Sequence, residues 1–178
     1  TYFRESFPGK RDELLFYTKM VGLCQISNEP CFLVPSLYAY VGQPYKTAKV
    51  VRGILASQYT SARDGVPGND DSGSMGAWYA FHALGFYPNA GQNVYLISSP
   101  MFDKVTLNFE DGKKLVVTAK NASAKNIYVQ SCALNGKPLD RCWLRHEELV
   151  FGGTLEFVMG ARPSSWATSG ELPPSMSD

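Results

Sequence analysis

The chain has 178 residues, a length that fits one ordinary domain or two small ones and allows a sizeable core. It carries 17 Lys and Arg residues against 16 Asp and Glu, a formal net charge of +1, which argues against a basic nucleic-acid binder and against an acidic tail. With 44% hydrophobic and 19% charged residues it is too apolar for disorder, and no apolar run approaches the ~20 residues of a membrane span. These features predict a soluble globular protein with no nucleic-acid partner.

The start of the chain, a glycosylation triplet and the cysteines bear on how the protein is processed and where it is located. Thr1 opens the sequence without a Met or a signal-like segment, so we expect either a removed leader or, preferably, a fragment of a longer polypeptide. Asn121-Ala122-Ser123 is a glycosylation acceptor in a secreted chain, so we expect an extracellular protein. The cysteines lack a zinc spacing and are expected to be buried thiols or to form one or two bridges. They are Cys24, Cys31, Cys132 and Cys142.

The first part of the chain, up to about Phe86, has apolar residues at helical spacing. The helix predicted after Pro44 is clearly amphipathic, with Val50 and Ile54 on its apolar side. If no further helices cover this apolar side, we expect it to be exposed to solvent. Turn residues fill positions 60–70. The four predicted helices are Leu14–Val21, Phe32–Val41 ended by Gly42, Tyr45–Tyr59 and Ser72–Gly85.

After Tyr87-Pro88 the hydrophobic period changes to two, which indicates strands. We expect an antiparallel β module of five to seven strands, and a tail rich in Pro and Ser that follows it. The predicted strands include Val94–Ile97, Lys104–Phe109, Leu115–Ala119, Ile127–Cys132 and Thr154–Met159. The predicted fold class is α+β, with a helical segment 1–90, a β module 91–160 and a tail 161–178.

The turn from Asp64 to Gly73 concentrates Asn69, Asp70 and Asp71 between glycines, just before the last predicted helix. A carboxylate there could act as a general base, since glycines let a ligand approach the backbone. The structural alternative is an Asx-rich turn in which Asp70 or Asp71 caps the helix. An EF-hand calcium loop is disfavoured, because the alternate spacing and the distant Glu are missing.

A second polar segment, Asn28-Glu29-Pro30, enters the helix predicted at Phe32–Val41. Asn28 and Glu29 offer the hard oxygen ligands that calcium or a sugar hydroxyl requires. The structural alternative is a plain helix entry with Asn28 as the cap and Glu29 as a first-turn charge. Spacing alone leaves both interpretations open.

Taken together, several segments resemble a known family. They are Asn28-Glu29-Pro30, Tyr38-Ala39-Tyr40-Val41-Gly42-Gln43-Pro44-Tyr45-Lys46-Thr47, Asp64-Gly65-Val66-Pro67-Gly68-Asn69-Asp70-Asp71-Ser72-Gly73, and Ala77-Trp78-Tyr79-Ala80-Phe81 with Leu84-Gly85-Phe86-Tyr87-Pro88. In order and spacing they resemble the calcium-dependent exo-acting α-mannosidases of glycoside hydrolase family 92. A looser similarity through Ser99-Pro100-Met101-Phe102 and Gly152-Gly153-Thr154-Leu155 extends it over nearly the whole chain.

The resemblance implies an inverting α-mannosidase whose catalytic (α/α)₆ barrel follows a β-sandwich. It implies that Asp71 is the principal base, with Asp70 beside it, and that Asn69 stands where many members have a second Asp. It also implies a calcium ion that contacts the mannose 2- and 3-hydroxyls, with Asn28 and Glu29 lining the ion and substrate site.

The resemblance further implies a general acid, in a Glu-Gly segment followed by aromatics, well before the Asn28-Glu29-Pro30 motif. No such segment occurs between Thr1 and Ser27, and four predicted helices are fewer than the twelve of the barrel. We therefore expect the carboxy-terminal part of a larger enzyme, consisting of the last barrel helices and a β module. Alone it should be inactive, and its partners would be the rest of the parent polypeptide and mannose-containing glycans.

The remaining aromatic and His residues carry weaker predictions. His82 is expected to be a satisfied, partly buried side chain, and His146 a surface residue. Trp78, Tyr79 and Phe86 could stack on sugar faces, and Trp78 is the substrate-binding candidate, although aromatics at helical spacing are more often core residues and core is favoured for all three.

Two functions follow for the chain as part of its parent. The first is removal of terminal α-linked mannose, with α-1,2 linkages expected, from N-glycans or mannans. The alternative is a non-catalytic carbohydrate-binding or structural module that uses the same turns.

Overall fold

The structure, a computed structural model, describes residues 26–175. The helix predicted at Leu14–Val21 and the cysteine Cys24 lie outside the described residues. Within them the fold is mixed helix and sheet, as the α+β prediction expects. Two 3-10 helices span Glu29–Cys31 and Val34–Val41, and the α-helices are α1 (Pro44–Gln58), α2 (Ser74–Leu84) and α3 (His146–Val150). No helix of the described part is long and apolar enough to cross a bilayer.

The segment predicted as one helix at Phe32–Val41 is instead the second 3-10 helix, and it begins at Val34. Pro35 explains the later start: in a helix that begins at Phe32 it would be the fourth residue, where its missing N–H costs an intrahelical hydrogen bond, whereas in the observed helix it lies in the first turn. The predicted end is correct. Gly42 adopts a left-handed conformation with φ 64°, and its N–H donates to the Ala39 and Tyr38 carbonyls.

The two long helices lie close to their predicted positions. Helix α1 begins at Pro44, as expected for a residue without an N–H in the first turn, and ends one residue before the predicted Tyr59. Its apolar side is not exposed, contrary to expectation, because Val51 and Ile54 pack in a core cluster with Trp78 of α2.

The strands form two sheets. Strands β1 (Phe86–Asn89), β2 (Val94–Ile97) and β7 (Trp143–Arg145) make a sheet of order β1-β2-β7. The second sheet has the order β3-β4-β8-β5-β6, with β3 (Lys104–Asn108), β4 (Lys114–Lys120), β5 (Tyr128–Leu134), β6 (Lys137–Pro138) and β8 (Gly153–Gly160). Strand β1 lies inside the segment 1–90 that the sequence predicts as helical.

The prediction of an antiparallel module holds for every strand pairing in the described part except one. Strand β8 inserts between β4 and β5, running antiparallel to β5 and parallel to β4, from Leu115 opposite Gly153 to Lys120 opposite Val158. The parallel pair arises because β8 returns to the sheet only after β7 and α3, so a crossover rather than a hairpin connects it to β4.

The main core lies around the five-stranded sheet, and the tail packs onto it. Leu115, Leu155 and Phe157 are among the buried residues of this cluster. The Trp166 indole donates to the Leu139 carbonyl at 2.7 Å, which fixes the tail against the β module. Cys132 and Cys142 are buried thiols, and burial raises the pKa of Cys142 to about 11.

His82 of α2 is more deeply buried and less fully hydrogen-bonded than predicted. It is fully buried, its ring stacks on Tyr87 with centroids 4.6 Å apart, and its Nδ1 lies 3.2 Å from the Ser98 hydroxyl. Its Nε2 has no hydrogen-bond partner among residues 26–175. Burial lowers the pKa of His82 from its ordinary 6.5 to about 3, so the folded protein holds a neutral imidazole.

We therefore expect His82 to make folding sensitive to acid. Between pH 6.5 and about 3 the unfolded state binds a proton that the folded state does not, so the free energy of unfolding contributed by this residue falls as the pH falls, by about 1.4 kcal/mol per unit. Denaturant unfolding at pH 7, 6, 5 and 4 measures it. His82→Phe, which keeps a flat ring, should show a shallower fall than the wild type. Equal slopes for wild type and His82→Phe would contradict the prediction.

Candidate functional site

The two polar segments singled out in the sequence lie next to each other. Gly68 has φ 80°, and a methyl group placed on it would lie 2.9 Å from the Ser27 Cβ and 3.6 Å from the Ser27 carbonyl oxygen. The turn therefore packs directly on the residue before Asn28. Asn28 and Asn69 directly follow Ser27 and Gly68 in the sequence, so the two segments of predicted site residues begin at this contact. Those residues, Asn28, Glu29, Asn69, Asp70 and Asp71, are all exposed.

Asp70 is bound to the N-terminus of α2. Its Oδ1 accepts a hydrogen bond from the Gly76 N–H at 2.8 Å, and its carbonyl accepts from the Met75 N–H at 3.2 Å. An acceptor at this end satisfies a helix N–H that has no partner within the helix, and its negative charge is favourable there. Gly73 occupies the N-cap position itself, so the capping alternative applies to Asp70 through the hydrogen bond that its carboxylate accepts from the Gly76 N–H.

Asp71 is held differently, through its backbone. Asp71, Ser72 and Gly73 have φ values of 47°, 60° and 96°, three successive residues in the left-handed region. The Asp71 carbonyl accepts from the N–H of Ser74 at 3.3 Å and from its hydroxyl at 2.8 Å, while the side chain is exposed. Asp tolerates this conformation better than most residues, so the turn presents the Asp71 carboxylate to solvent. These left-handed residues also explain why α2 begins at Ser74 and not at the predicted Ser72.

The base of the turn is packed tightly. Gly65 and Pro67 are buried, and the Gly65 carbonyl accepts from the Thr60 N–H at 2.9 Å. A methyl group on Gly65 would lie 2.2 Å from the Thr60 carbonyl oxygen, so only glycine fits. This packing fixes the position of the turn that carries the exposed carboxylates.

Asn28 does not cap the first 3-10 helix with its side chain. It lies at the N-cap in an extended conformation, and its backbone carbonyl accepts from the Cys31 N–H at 2.9 Å. The carboxamide makes no capping hydrogen bond, and the neighbouring Glu29 is exposed. Asn28 at the N-cap and Glu29 in the first turn match the plain helix entry in position. Their exposed side chains also leave the ligand-binding interpretation open.

The donors of Asn28 and Glu29 suit calcium in kind, since Ca²⁺ prefers carboxylate and amide oxygens. In number they do not complete a site, because Ca²⁺ takes 6–8 oxygen ligands. Within residues 26–175, no three or more His, Cys, Asp or Glu side chains are grouped so as to hold a metal ion. Carbonyl, water or ligand oxygens would have to supply the remaining ligands.

Trp78 does not have the accessible face that substrate binding needs. It is fully buried, stacked on Tyr59 with centroids 5.9 Å apart, and its centroid lies 4.2 Å from that of His82. The prediction that Trp78 contacts substrate is therefore corrected, because its faces are covered by the core. Phe86 is also buried, whereas Tyr79 is half-buried.

Tyr59 is a neighbour of the site that the sequence analysis missed. Its hydroxyl donates to the Met75 carbonyl at 3.1 Å, and burial, with smaller effects of Tyr87 and Asp70, raises its pKa above the ordinary value. The sequence feature that could have identified Tyr59 as a neighbour of the site is its position at the end of α1, directly before the turn. His146 is exposed as predicted, with its Nδ1 3.0 Å from the Tyr95 hydroxyl.

Comparison with known proteins shows the family. The model of the glycosyl hydrolase family 92 catalytic domain matches residues 3–161. An "uncharacterized secreted glycosidase" of Arthroderma benhamiae is 42% identical over 166 residues, which are 91% of this chain and 22% of that protein.

Solved structures agree with this match. The family GH92 alpha-mannosidase BT3965 from Bacteroides thetaiotaomicron has a TM-score of 0.84 and 40% identity, over 88% of this chain and 21% of that one. The family GH92 inverting mannosidase BT2199 from the same organism has a TM-score of 0.83 and 36% identity, over 92% and 22%. The chain thus spans about a fifth of the length of these relatives.

The two neighbouring carboxylates should contribute unequally to stability. Asp70→Ala removes the acceptor of the Gly76 N–H, so we expect the free energy of unfolding to fall by about 0.5–2 kcal/mol. Asp71→Asn keeps a residue that tolerates positive φ and should change stability by less than about 0.5 kcal/mol. Thermal and denaturant unfolding of both variants tests this. A larger loss in Asp71→Asn than in Asp70→Ala would overturn the assignment of the cap.

Proposed function

Since the chain belongs to glycosyl hydrolase family 92, we propose that it is part of an inverting, exo-acting α-mannosidase. Its substrates would be terminal α-linked mannose residues, α-1,2 linkages first, in N-glycans or mannans. The mannosidase names of BT3965 and BT2199 support the choice of sugar, and the second name supports inversion. One observation carries the proposal: an exposed Asp71 carboxylate on a fixed left-handed turn, beside the exposed Asn28–Glu29 segment.

In the proposed reaction Asp71 is the general base. Its carboxylate takes a proton from a water molecule whose oxygen bonds to the anomeric carbon from the side opposite the leaving group. The glycosidic bond breaks in the same step, and the leaving oxygen takes a proton from a general acid. The product is β-mannose, because the attack inverts the anomeric centre.

The other two residues of the turn have supporting roles in this proposal. Asp70 fixes the turn on α2 through its hydrogen bond to Gly76, and Asn69 is a neutral residue where a second carboxylate could have stood. We therefore propose that Asp71 acts as the base without a second carboxylate partner. Asn69 would position the water or a sugar hydroxyl through its carboxamide.

We assign the general acid to a part of the parent polypeptide outside this chain. An inverting glycosidase needs its two carboxyl groups ~6.5–9.5 Å apart, on opposite faces of the sugar. The relatives are more than four times as long as the matched segment, which leaves room for the acid. The 178-residue chain alone is therefore expected not to turn over mannosides.

We propose that Asn28 and Glu29 hold calcium together with the substrate. Their exposed oxygens suit the ion, and in this role it would bind the mannose 2- and 3-hydroxyls and favour a distorted ring. Asn28 would also orient the sugar directly, since its carboxamide can both donate and accept hydrogen bonds.

The 3-10 helices, α1 and α2 would be the last helices of an (α/α)₆ barrel, which the remainder of the polypeptide would complete. Exposed apolar side chains support such a partner surface. Leu37 and Val41, both of the second 3-10 helix, are 45% and 61% exposed.

Replacing the base should abolish turnover in the intact parent protein. Asp71→Asn keeps the turn but cannot accept the proton, so we expect the rate of α-mannobiose hydrolysis to fall by about 10²–10⁴-fold. Proton NMR should detect β-mannose as the first product of the wild type, and a calcium chelator should lower its rate. Asp64→Asn, an exposed carboxylate at the other end of the same turn, should stay close to wild type. Activity that survives both Asp71→Asn and chelation, or no activity in the parent, would favour a binding or structural module.

We also propose that the protein is secreted, as the Arthroderma benhamiae relative is named to be. Asn121 supports this, because it is exposed in the turn after β4 with φ 66° and its glycosylation triplet is intact. Asn126 closes that turn by donating to the Asn121 carbonyl and the Ser123 hydroxyl, both at 2.9 Å, so the turn does not depend on the Asn121 side chain.

Secretion from a eukaryotic host should therefore add an N-glycan at Asn121. We expect a mass decrease on treatment with a peptide N-glycosidase, absent in Asn121→Asp and retained in Ser123→Thr. Asp suits the left-handed conformation, and Thr keeps both the acceptor hydroxyl and the triplet. A secreted wild-type protein without the glycan would contradict the assignment.

A further inference from the structure

We propose that Trp78 is a positioning residue of the active site, because its indole N–H holds the Asn28–Glu29 segment against the helix that follows Asp71. This inference rests on the proposed function, since it concerns how the two halves of that same site are kept in register. It also gives a role to a buried tryptophan that has no face open to substrate.

The connection runs through Phe32. The Trp78 Nε1–H donates to the Phe32 carbonyl at 3.1 Å, and the Phe32 N–H donates to the Glu29 carbonyl at 3.0 Å. Phe32 therefore bonds on one side to the candidate ligand segment and on the other to α2. Because Trp78 lies one turn after Ser74, where α2 begins, the hydrogen bond reaches the part of the helix that supports Asp71.

The ring that supplies this hydrogen bond is itself fixed. Tyr59 stacks on Trp78 with an interplanar angle of 5°, and His82 packs against it at 4.2 Å. The Tyr59 hydroxyl also donates to the Met75 carbonyl in the first turn of α2. A donor on a ring packed in the core keeps its direction. The position of the Phe32 carbonyl, and with it that of the Glu29 carbonyl bonded to the Phe32 N–H, therefore follows from the core.

The second contact between the segments is apolar. Gly68 packs on Ser27 without space for a methyl group, which sets how closely the segments approach. Such packing is non-directional, whereas a hydrogen bond also fixes orientation. We therefore assign spacing to Gly68 and orientation to Trp78.

The test compares two buried tryptophans in the intact parent protein. Trp78→Phe keeps an aromatic ring in the core but removes the donor to Phe32. Trp143→Phe is the matched control, because Trp143 is also buried and its Nε1–H donates to the Glu171 carbonyl at the same 3.1 Å, in a different core cluster. Both variants lose the same atoms and the same type of hydrogen bond.

Two measurements separate positioning from plain stability. Hydrogen–deuterium exchange of the segment 27–33 should become faster in Trp78→Phe and stay unchanged in Trp143→Phe. For α-mannobiose hydrolysis, we expect Trp78→Phe to raise KM at least threefold, within the roughly three- to tenfold that one hydrogen bond is worth. The kcat should change less, because Asp71 keeps its own support on α2, and Trp143→Phe should keep the wild-type KM.

Each outcome decides a separate question. Equal changes in exchange and KM for both variants would show that Trp78 is only a core residue and would overturn the inference. A wild-type parent without mannosidase activity would defeat the proposed function, while exchange would still decide whether the N–H holds the segment. If Trp78→Phe does not fold, 3-benzothienylalanine at position 78 replaces the N–H by sulfur in a ring of the same size, and wild-type exchange and KM in that variant would refute the proposal.

Discussion

The hydrogen bond from the Trp78 indole to the Phe32 carbonyl is the constraint on which the proposed arrangement of the candidate site depends. It joins a short 3-10 segment, which has little stability of its own, to an α-helix packed in the core. The same segment is also anchored by apolar contacts, since Ile26 is buried in the core cluster of Trp78 and Ser27 packs on Gly68. The Asn28–Glu29 segment and Asp71, which are far apart in sequence, are thus held in a fixed relative position by Trp78, a buried residue with no face open to a ligand. The same burial produces the neutral His82, whose imidazole packs against this tryptophan.

The left-handed triplet at Asp71, Ser72 and Gly73 separates two neighbouring carboxylates into different tasks. In a regular helix entry both side chains would compete for the same free N–H groups. Here Asp70 takes the Gly76 N–H, and the reversed backbone directs the hydrogen bonds of Asp71 through its carbonyl. Non-glycine residues with positive φ cost free energy, of order 1–3 kcal/mol for strongly disfavoured cases, and such strain is frequent at functional sites. The two interpretations of the turn are therefore compatible: Asp71 can be the base while Asp70 caps the helix. The sequence alone presented them as alternatives.

The sequence predicted those features that depend on local chemistry. Helix α1 follows from Pro44 and an amphipathic period, and β2 from an apolar run between polar turns, so both were predicted within one residue at each end. The later start of the second 3-10 helix and the parallel pairing of β8 with β4 were missed. The first was missed because Pro35 was given too little weight, and the second because register across a crossover is not encoded locally. The candidate site residues were proposed from motifs, whereas the burial of Trp78 and the hydrogen bond between Asp70 and α2 depend on tertiary packing. The pattern of aromatics at helical spacing was compatible with core and with ligand contact, and only the neighbours of Trp78 decide between them.

In the proposed enzyme the base lies in this chain and the general acid lies in another part of the parent polypeptide. Asp71, the proposed base, and the Asn28–Glu29 segment are both held by contacts within this chain, so their mutual geometry is set here. The distance from base to acid, which decides between inversion and retention, would instead depend on how these helices dock against the rest of the parent polypeptide. A substitution at that docking surface, for example at the exposed Val41, could then lower kcat without changing the local structure around Asp71. Catalysis would be lost because the distance between the Asp71 carboxylate and the general acid changes, while the geometry within residues 26–175 stays the same.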